Sequence, residues 1–371
     1  MTMAESRLFK PLRIGTVETK HRIVMPAASR MRATDDHIPT DLMLEYYTQR
    51  AAVPGTLIIT EANLVSPEHS GYTNAPGIWN AEQIAAWRKI TDAVHSKGSS
   101  MFLQVMALGR MADPSEAKKE GFTIVGASDI PWMAGAVVPK VMTVEDVTRT
   151  VQQFGQAAKN AVEAGFDGIE LLAGNGMLVE QFLQDVSNQR DDQYGGSIEN
   201  RSRFTHEILQ AMVDAIGAQR VGVRFSPWSE YLGLGMDDPV PQYSDILRKA
   251  NDLSLSHVHL ITSRVKGSDD VVSAETLDFA YNLFHGPIIL AGGFTGELAR
   301  KLVDEEYLDK DIAVAFGRQF IANPDLVFRI REGLALNDYD RSSFYALKDP
   351  EGYIDYPFSE EYLAQRRLGN A

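Results

Sequence analysis

Eight short apolar runs, rich in β-branched residues and spread along the chain, constrain the fold more than any other feature. They occupy residues 22–28 (RIVMPAA), 57–63 (LIITEAN), 101–107 (MFLQVMA), 168–174 (GIELLAG), 221–227 (VGVRFSP), 257–263 (HVHLITS), 287–293 (PIILAGG) and 312–318 (IAVAFGR). Continuous rather than alternating apolar runs suit strands buried on both faces of a parallel sheet. Helical patterns fill the gaps. Asn80 and Gln83 form a capping box ahead of Ile84, Trp87, Ile90 and Val94, and Gly98 stops that helix. Thr143 and Asp146 open a second helix with Val147, Val151, Phe154 and Ala158 on one face and Gly165 at its end. Ser197 opens a third, carrying Phe204, Ile208, Met212 and Ile216 up to Gly217. Strand and helix in alternation, eight times, predict an α/β fold of the (β/α)8 TIM-barrel type. An open doubly wound sheet is the rival. The count of eight, and the lack of G-x-G-x-x-G after the first strand, favour the barrel.

Two pieces lie outside this alternation. Residues 8–19 (LFKPLRIGTVET) read as a hairpin turning at Ile14–Gly15 and closing the barrel bottom. Residues 108–142 separate the third strand from its helix. They are too long for an ordinary βα loop and predict a cap over the mouth. No linker composition divides the chain, so residues 1–371 read as a single domain.

Composition narrows the function. At 44% hydrophobic and 23% charged residues the chain is an ordinary globular protein, which excludes a long disordered one. Thirty-six basic against 50 acidic residues leave a net charge of -14, a surface that repels nucleic acid and anionic lipid. The expected partner is a small molecule. The absence of cysteine excludes disulfides, thiolate nucleophiles and Cys-ligated metals. None of the eight histidines belongs to a compact metal-binding set, and no G-x-S-x-G or Walker motif is present. No secretory leader or membrane span is recognisable, so the expectation is a cytoplasmic monomer or homodimer.

In a barrel the chemistry sits at the C-terminal strand ends, and phosphate often binds after strands seven and eight. Here those ends read Ala291-Gly292-Gly293 and Phe316-Gly317-Arg318. Glycines let backbone N–H groups approach phosphate, and arginine adds a bidentate charge. Ser29, Gln104 and Arg224 sit at other strand ends and can grip a planar polar ring. Singly, such residues are more often turn glycines or satisfied core polars. Together on separate strands they predict a heterocycle-binding mouth.

Several segments resemble the old yellow enzyme family of flavin-dependent ene-reductases. They are residues 8–11 (LFKP), 21–33 (HRIVMPAASRMRA), 71–79 (GYTNAPGIW), 189–204 (QRDDQYGGSIENRSRF), 316–326 (FGRQFIANPDL) and 338–357 (DYDRSSFYALKDPEGYIDYP). The resemblance spans residues 8–357 and points to the alkaloid and specialised-metabolism branch. It implies a (β/α)8 barrel holding FMN, with NADPH (or NADH) as reductant. It places Ser29 beside the flavin O4 and N5, Gln104 at the pyrimidine edge and Arg224 near N1 and O2. Pro26 and Ala62 would give backbone contacts to the ring, and Gly292, Gly293, Gly317 and Arg318 would cradle the phosphate. Tyr72, Phe344 and Tyr345 match aromatics at the substrate mouth.

The chain departs from the family after strand four. There the family carries His-x-x-Asn (or His-x-x-His), one residue, then Tyr. The first pair polarises a substrate carbonyl and the Tyr protonates the α-carbon. This chain has Leu172-Ala173-Gly174-Asn175-Gly176-Met177, so only Asn175 survives. Leu172 cannot donate a hydrogen bond and Met177 has no proton to give. Met106 stands where the family often has Trp, so the pocket should be unusually apolar.

The resemblance thus implies an FMN-dependent oxidoreductase acting on an activated C=C of a specialised small molecule. Asn175 would orient the carbonyl, with Tyr72, Tyr345 or water as the acid. A redox-neutral isomerase or cyclase is the alternative, since some alkaloid-pathway members lacking the Tyr isomerise an enal. A flavin-binding scaffold without turnover is a third reading, opposed by the nearly intact flavin shell.

Overall fold

The computed structural model describes residues 3–263, 265–266, 269–270 and 275–369. Its centre is a closed parallel barrel of β1 (Ile23–Met25), β2 (Leu57–Ile59), β3 (Ser100–Met106), β4 (Gly168–Ala173), β5 (Val221–Phe225), β6 (His257–Ile261), β7 (Ile288–Ala291) and β8 (Ile312–Ala315). Every neighbouring pair is parallel, and β8 returns to β1 through Val314 opposite Ile23. Each strand lies inside one of the eight apolar runs or begins one residue before it. The rival open sheet is thereby excluded.

The runs are continuously apolar because both faces of each strand are buried. Val24, Leu57, Ile59, Phe102, Ile289 and Ala313 fill the barrel interior. Ile23, Met25, Ile58, Met101 and Ile288 face the surrounding helices. Those helices are α1 (Asp41–Arg50), α2 (Ala81–Ser96), α3 (Val144–Glu163), α4 (Ile198–Ile216), α5 (Val240–Asp252), α6 (Asp278–Leu283), α7 (Gly296–Lys301) and α8 (Leu326–Glu332). The expected capping boxes form at Asn80/Gln83 and Thr143/Asp146, and the Ser197 hydroxyl caps α4. Trp87 and Phe154 carry the buried faces of α2 and α3, whereas Ile84 and Val151 sit at their half-buried margins.

The N-terminal hairpin pairs Leu12–Ile14 with Val17–Thr19. It turns at Gly15 and Thr16, one residue later than the sequence suggested. Ile14 is needed as a strand residue, because its side chain is fully buried in the barrel floor with Leu12 and Val17. Gly15 takes the turn at φ +57, where an added Cβ would fall 2.0 Å from the Gln219 carbonyl oxygen. Residues 8–11, included in the predicted hairpin, form a 3-10 turn (Arg7–Phe9) and its exit instead.

The segment between β3 and α3 carries a short helix, Pro114–Glu120, capped by Asp113, and a two-residue strand pair, Val125–Gly126 with Lys140–Val141. Leu108, Ala112, Ala117 and Ile124 of this segment pack with Met106, Leu172 and Ala62. The insertion therefore seals one wall of the C-terminal end of the barrel.

Candidate active site

At that end lies a cavity of about 450 Å³. Every residue singled out from the sequence lines it. Pro26, Ser29, Ala62, Gln104 and Arg224 come from the ends of β1, β2, β3 and β5, and Gly292, Gly293, Gly317 and Arg318 from those of β7 and β8. Met106, Leu172, Asn175 and Met177 form a second wall, with Tyr72, Phe344 and Tyr345 around the mouth. Sequence reading missed Leu108 and Met111 from the cap, Tyr231 and Leu232 from the loop after β5, and Ile261, Phe294, Gln319 and Ile321. The cap pair follows β3 directly and could have been found by continuing that strand. The Tyr231–Leu232 loop gave no signal beyond its glycines.

The cavity floor is a buried polar network. Gln104 Nε2 donates to Glu170 Oε1 at 2.6 Å. The other carboxylate oxygen lies 2.9 Å from both His257 Nε2 and His259 Nδ1. Burial alone would push the Glu170 carboxyl up, but His259 and His257 outweigh it and hold the group below the usual carboxylate range. Burial drives the His259 imidazole down to about 4.

Arg224 stands in register with Leu172 on one side and His259 on the other. Arg224 is half-buried, and burial lowers its pKa while Glu170 partly compensates. Its Nε and Nη1 are buried and find no hydrogen-bond partner among the described residues. An unpartnered buried guanidinium facing a cavity is costly and calls for an anionic or carbonyl-bearing occupant.

The backbone around the cavity is shaped for close approach. Gly292 and Gly293 adopt φ of +129 and +60, conformations that side chains disfavour. Asn175 is also left-handed at φ +57, in a turn that brings its side chain to the cavity wall. Around Asn175 the wall is apolar: Met106, Leu172 and Leu108 are nearly fully buried and pack with Met111 and Met177. At the mouth stands the Tyr72 phenol, whose pKa burial pushes up to about 12. Tyr345 is 57% exposed and marks the rim. No cluster of potential metal ligands occurs among the described residues. No helix among them is long and apolar enough to cross a membrane.

The model of the NADH:flavin oxidoreductase / NADH oxidase family matches residues 7–337. The chain belongs to this family. It is 46% identical over 360 residues to chanoclavine-I aldehyde reductase fgaOx3 of Penicillium roqueforti, covering 96% of this chain and 98% of that protein. It is 43% identical to a probable inactive reductase, easA, of Epichloe festucae var. lolii, with 98% of each chain covered. Among solved structures, old yellow enzyme from Pichia sp. AKU4542 matches with a TM-score of 0.89 at 34% identity, over 96% of this chain and 95% of that one. Morphinone reductase in complex with tetrahydroNAD matches at 0.85 and 34%, over 95% and 98%. The old yellow enzyme resemblance of the sequence is thus confirmed, and the protein is an FMN-dependent oxidoreductase of the NADH:flavin oxidoreductase family.

The residues present fit FMN. The orphaned Arg224 guanidinium supplies a cation for an electron-rich ring edge, and Gln104, fixed by Glu170, presents an amide to the same cavity. The glycine pair Gly292–Gly293 and the Arg318 charge stand where β7 and β8 end, as a phosphate group requires.

Proposed function

We propose that the protein reduces the activated C=C of an α,β-unsaturated aldehyde in a specialised-metabolite pathway. The observation that carries this reading is the single cavity that joins a buried unpartnered Arg224 to Asn175 and an otherwise apolar wall. The aldehyde is suggested by the relatives named as aldehyde reductases.

When bound, FMN accepts hydride from a nicotinamide and delivers it to an electron-poor carbon. Arg224 stabilises negative charge on the ring edge it faces, because a desolvated cation acts strongly at short range. Gln104 orients the ring and is itself oriented by Glu170. The Asn175 amide donates to the substrate carbonyl oxygen and so polarises the double bond. Leu172 and Met177 give the alkene an apolar bed and exclude water from it. A proton must reach the α-carbon to balance the hydride added at the β-carbon. Tyr72 is the best-placed donor of the named phenols: it is half-buried in the cavity lining and keeps its proton at neutral pH. Tyr345, more exposed, or water serves less directly.

The redox-neutral alternative draws on one feature, the replacement of the usual phenol by Met177. With a weak acid nearby, a hydride lent to the substrate can be taken back after bond rotation, giving isomerisation without net reduction. The experiment that separates the two is NADPH stoichiometry under anaerobic conditions with cinnamaldehyde. A reductase consumes one NADPH for each saturated aldehyde formed. Product isomers without NADPH loss would replace the reductase reading by the isomerase one.

A further inference from the structure

The turn that carries Asn175 rests on a carboxylate outside the cavity lining. Asn175 and Gly176 are both left-handed, at φ +57 and +85. Glycine adopts this region freely, but Asn175 does so at a cost that outside support offsets. The Asn175 N–H donates to Ser226 Oγ at 2.9 Å, and Ser226 Oγ donates to Glu180 Oε1 at 2.8 Å. The Gly176 N–H donates to Glu180 Oε2 at 2.7 Å. Tyr243 adds its hydroxyl to Oε1 at 2.8 Å, and Gln184 adds its amide at 3.3 Å. Glu180 is fully buried. The same hub reaches the loop after β5, since Gln184 Oε1 accepts from the Gly235 N–H at 2.8 Å. That loop presses on the Asn175 turn: a Cβ at Gly176 would lie 2.7 Å from Leu232 Cδ1.

We infer that Glu180 is a positioning residue that fixes the Asn175 turn, through Ser226 and Gly176, and so sets how tightly a substrate carbonyl is held. The inference rests on the proposed contact between Asn175 and that carbonyl. The physical reason is the poverty of the site. With Leu172 and Met177 unable to hydrogen-bond, Asn175 is the polar side chain left on the β4 turn, and an amide donor discriminates only if its direction is fixed. Glu180 accepts at Oε1 from Ser226, Tyr243 and Gln184 and at Oε2 from Gly176, so its carboxyl group is pinned and in turn pins the turn. Glutamine at 180 would keep the shape but turn an NH2 toward groups that themselves donate.

The test is a double-mutant cycle on ligand affinity in the FMN-loaded, oxidised protein. Cinnamaldehyde is titrated and its dissociation constant read from the flavin absorbance change. Asn175→Ala should weaken binding about tenfold, and Glu180→Gln by about the same factor, as expected for one hydrogen bond. In the Asn175→Ala background Glu180→Gln should have little further effect, less than about twofold, because it acts through the same contact. The FMN content and flavin spectrum of Glu180→Gln and Ser226→Ala should match those of the parent. Ser226→Ala removes just the bridging hydroxyl and decides the matter if Glu180→Gln fails to retain FMN. It too should weaken binding in the parent background and not beside Asn175→Ala. If Asn175→Ala weakens binding but Glu180→Gln and Ser226→Ala do not, or if their effects simply multiply, the positioning role is wrong. If Asn175→Ala leaves affinity unchanged, or the parent does not bind the aldehyde, the proposed carbonyl contact fails first and this inference falls with it.

Discussion

Two positions of the cavity wall show how single side chains decide the behaviour of the site. On the proposed reading, Leu172 and Met177 stand where a carbonyl donor and a proton donor would be expected. Each such group is worth roughly 10² or more in rate within a preorganised site. Leu172→His with Met177→Tyr should therefore raise reduction of cyclohexenone at least tenfold, measured as anaerobic NADPH oxidation against a control without the enone. A parent that already reduces cyclohexenone as fast as the variant would show that another group supplies the proton. Glu61 carries a different lesson. Its carboxyl accepts from the Arg30 N–H at 3.1 Å and the Tyr47 hydroxyl at 3.3 Å, and burial pushes its pKa up to about 7. A carboxyl raised in the folded state stabilises the fold below its unfolded pKa, near 4.5, and that contribution is lost as pH rises through 7. Glu61→Gln abolishes this dependence. Relative to the variant, the parent should lose about 3 kcal/mol between pH 4.5 and 7.5, at about 1.4 kcal/mol per pH unit. Urea midpoints at several pH values check it; parallel curves for the two proteins would mean that Glu61 does not titrate in this range.

At the scale of elements, the loop after β5 and the cap are one mechanical unit. Leu232 holds a left-handed backbone at φ +61, which costs about 1–2 kcal/mol for a residue with a side chain. The strain persists because Arg110, buried in the cap, donates to the Leu232 and Gly233 carbonyls at 3.2 and 3.0 Å and to the Ile130 carbonyl at 3.2 Å. Arg110→Ala removes all three donations and leaves part-buried carbonyls without their donor. The expected result is a fold destabilised by about 2–4 kcal/mol and a raised KM for the aldehyde, because Tyr231 and Leu232 would no longer be held at the cavity edge. Hydrogen exchange confined to residues 228–235 would report the same loosening; unchanged exchange there would separate Arg110 from the loop. None of this linkage was legible in the sequence, because it joins residues 122 positions apart. The strands were legible because burial on both faces leaves no alternation to misread. Ser29, Gln104, Arg224, the glycines and Arg318 were legible because they sit at strand ends, where barrel geometry forces convergence, whereas Tyr72, Phe344 and Tyr345 were legible only through the family resemblance. The hairpin turn was misplaced because Ile14 beside Gly15 reads equally well as turn or strand until its burial is known. The Glu170 and Glu180 hubs escaped notice for a related reason. A carboxylate among many acidic residues shows its partners only when the barrel closes around it.

For the whole molecule, the two ends of the barrel are built in opposite ways, and this makes stability depend on the cofactor. The floor is closed by the apolar plug of Leu12, Ile14 and Val17, which needs nothing further. The other end keeps a cavity of about 450 Å³ with a desolvated guanidinium in its wall. A ligand that binds the folded chain and not the unfolded one stabilises by about 2.7 kcal/mol at one hundred times its dissociation constant. FMN should thus raise the melting temperature of stripped protein by a few degrees, since each kcal/mol shifts a domain of 150–250 residues by about 2–4 °C and a longer chain by less. Arg224 should account for a large part of the gain, because the bound ring meets its unpartnered Nε and Nη1. Arg224→Leu removes charge-assisted contacts worth about 1.5–3 kcal/mol each, so the FMN-dependent rise should shrink markedly at the same free FMN concentration. Calorimetry of stripped and reloaded forms of parent and variant gives the comparison directly, without any turnover assay. An equal rise in both proteins would show that Arg224 does not meet the flavin. The cation would then have to be assigned to the substrate instead, and the division of the cavity between ring and substrate redrawn.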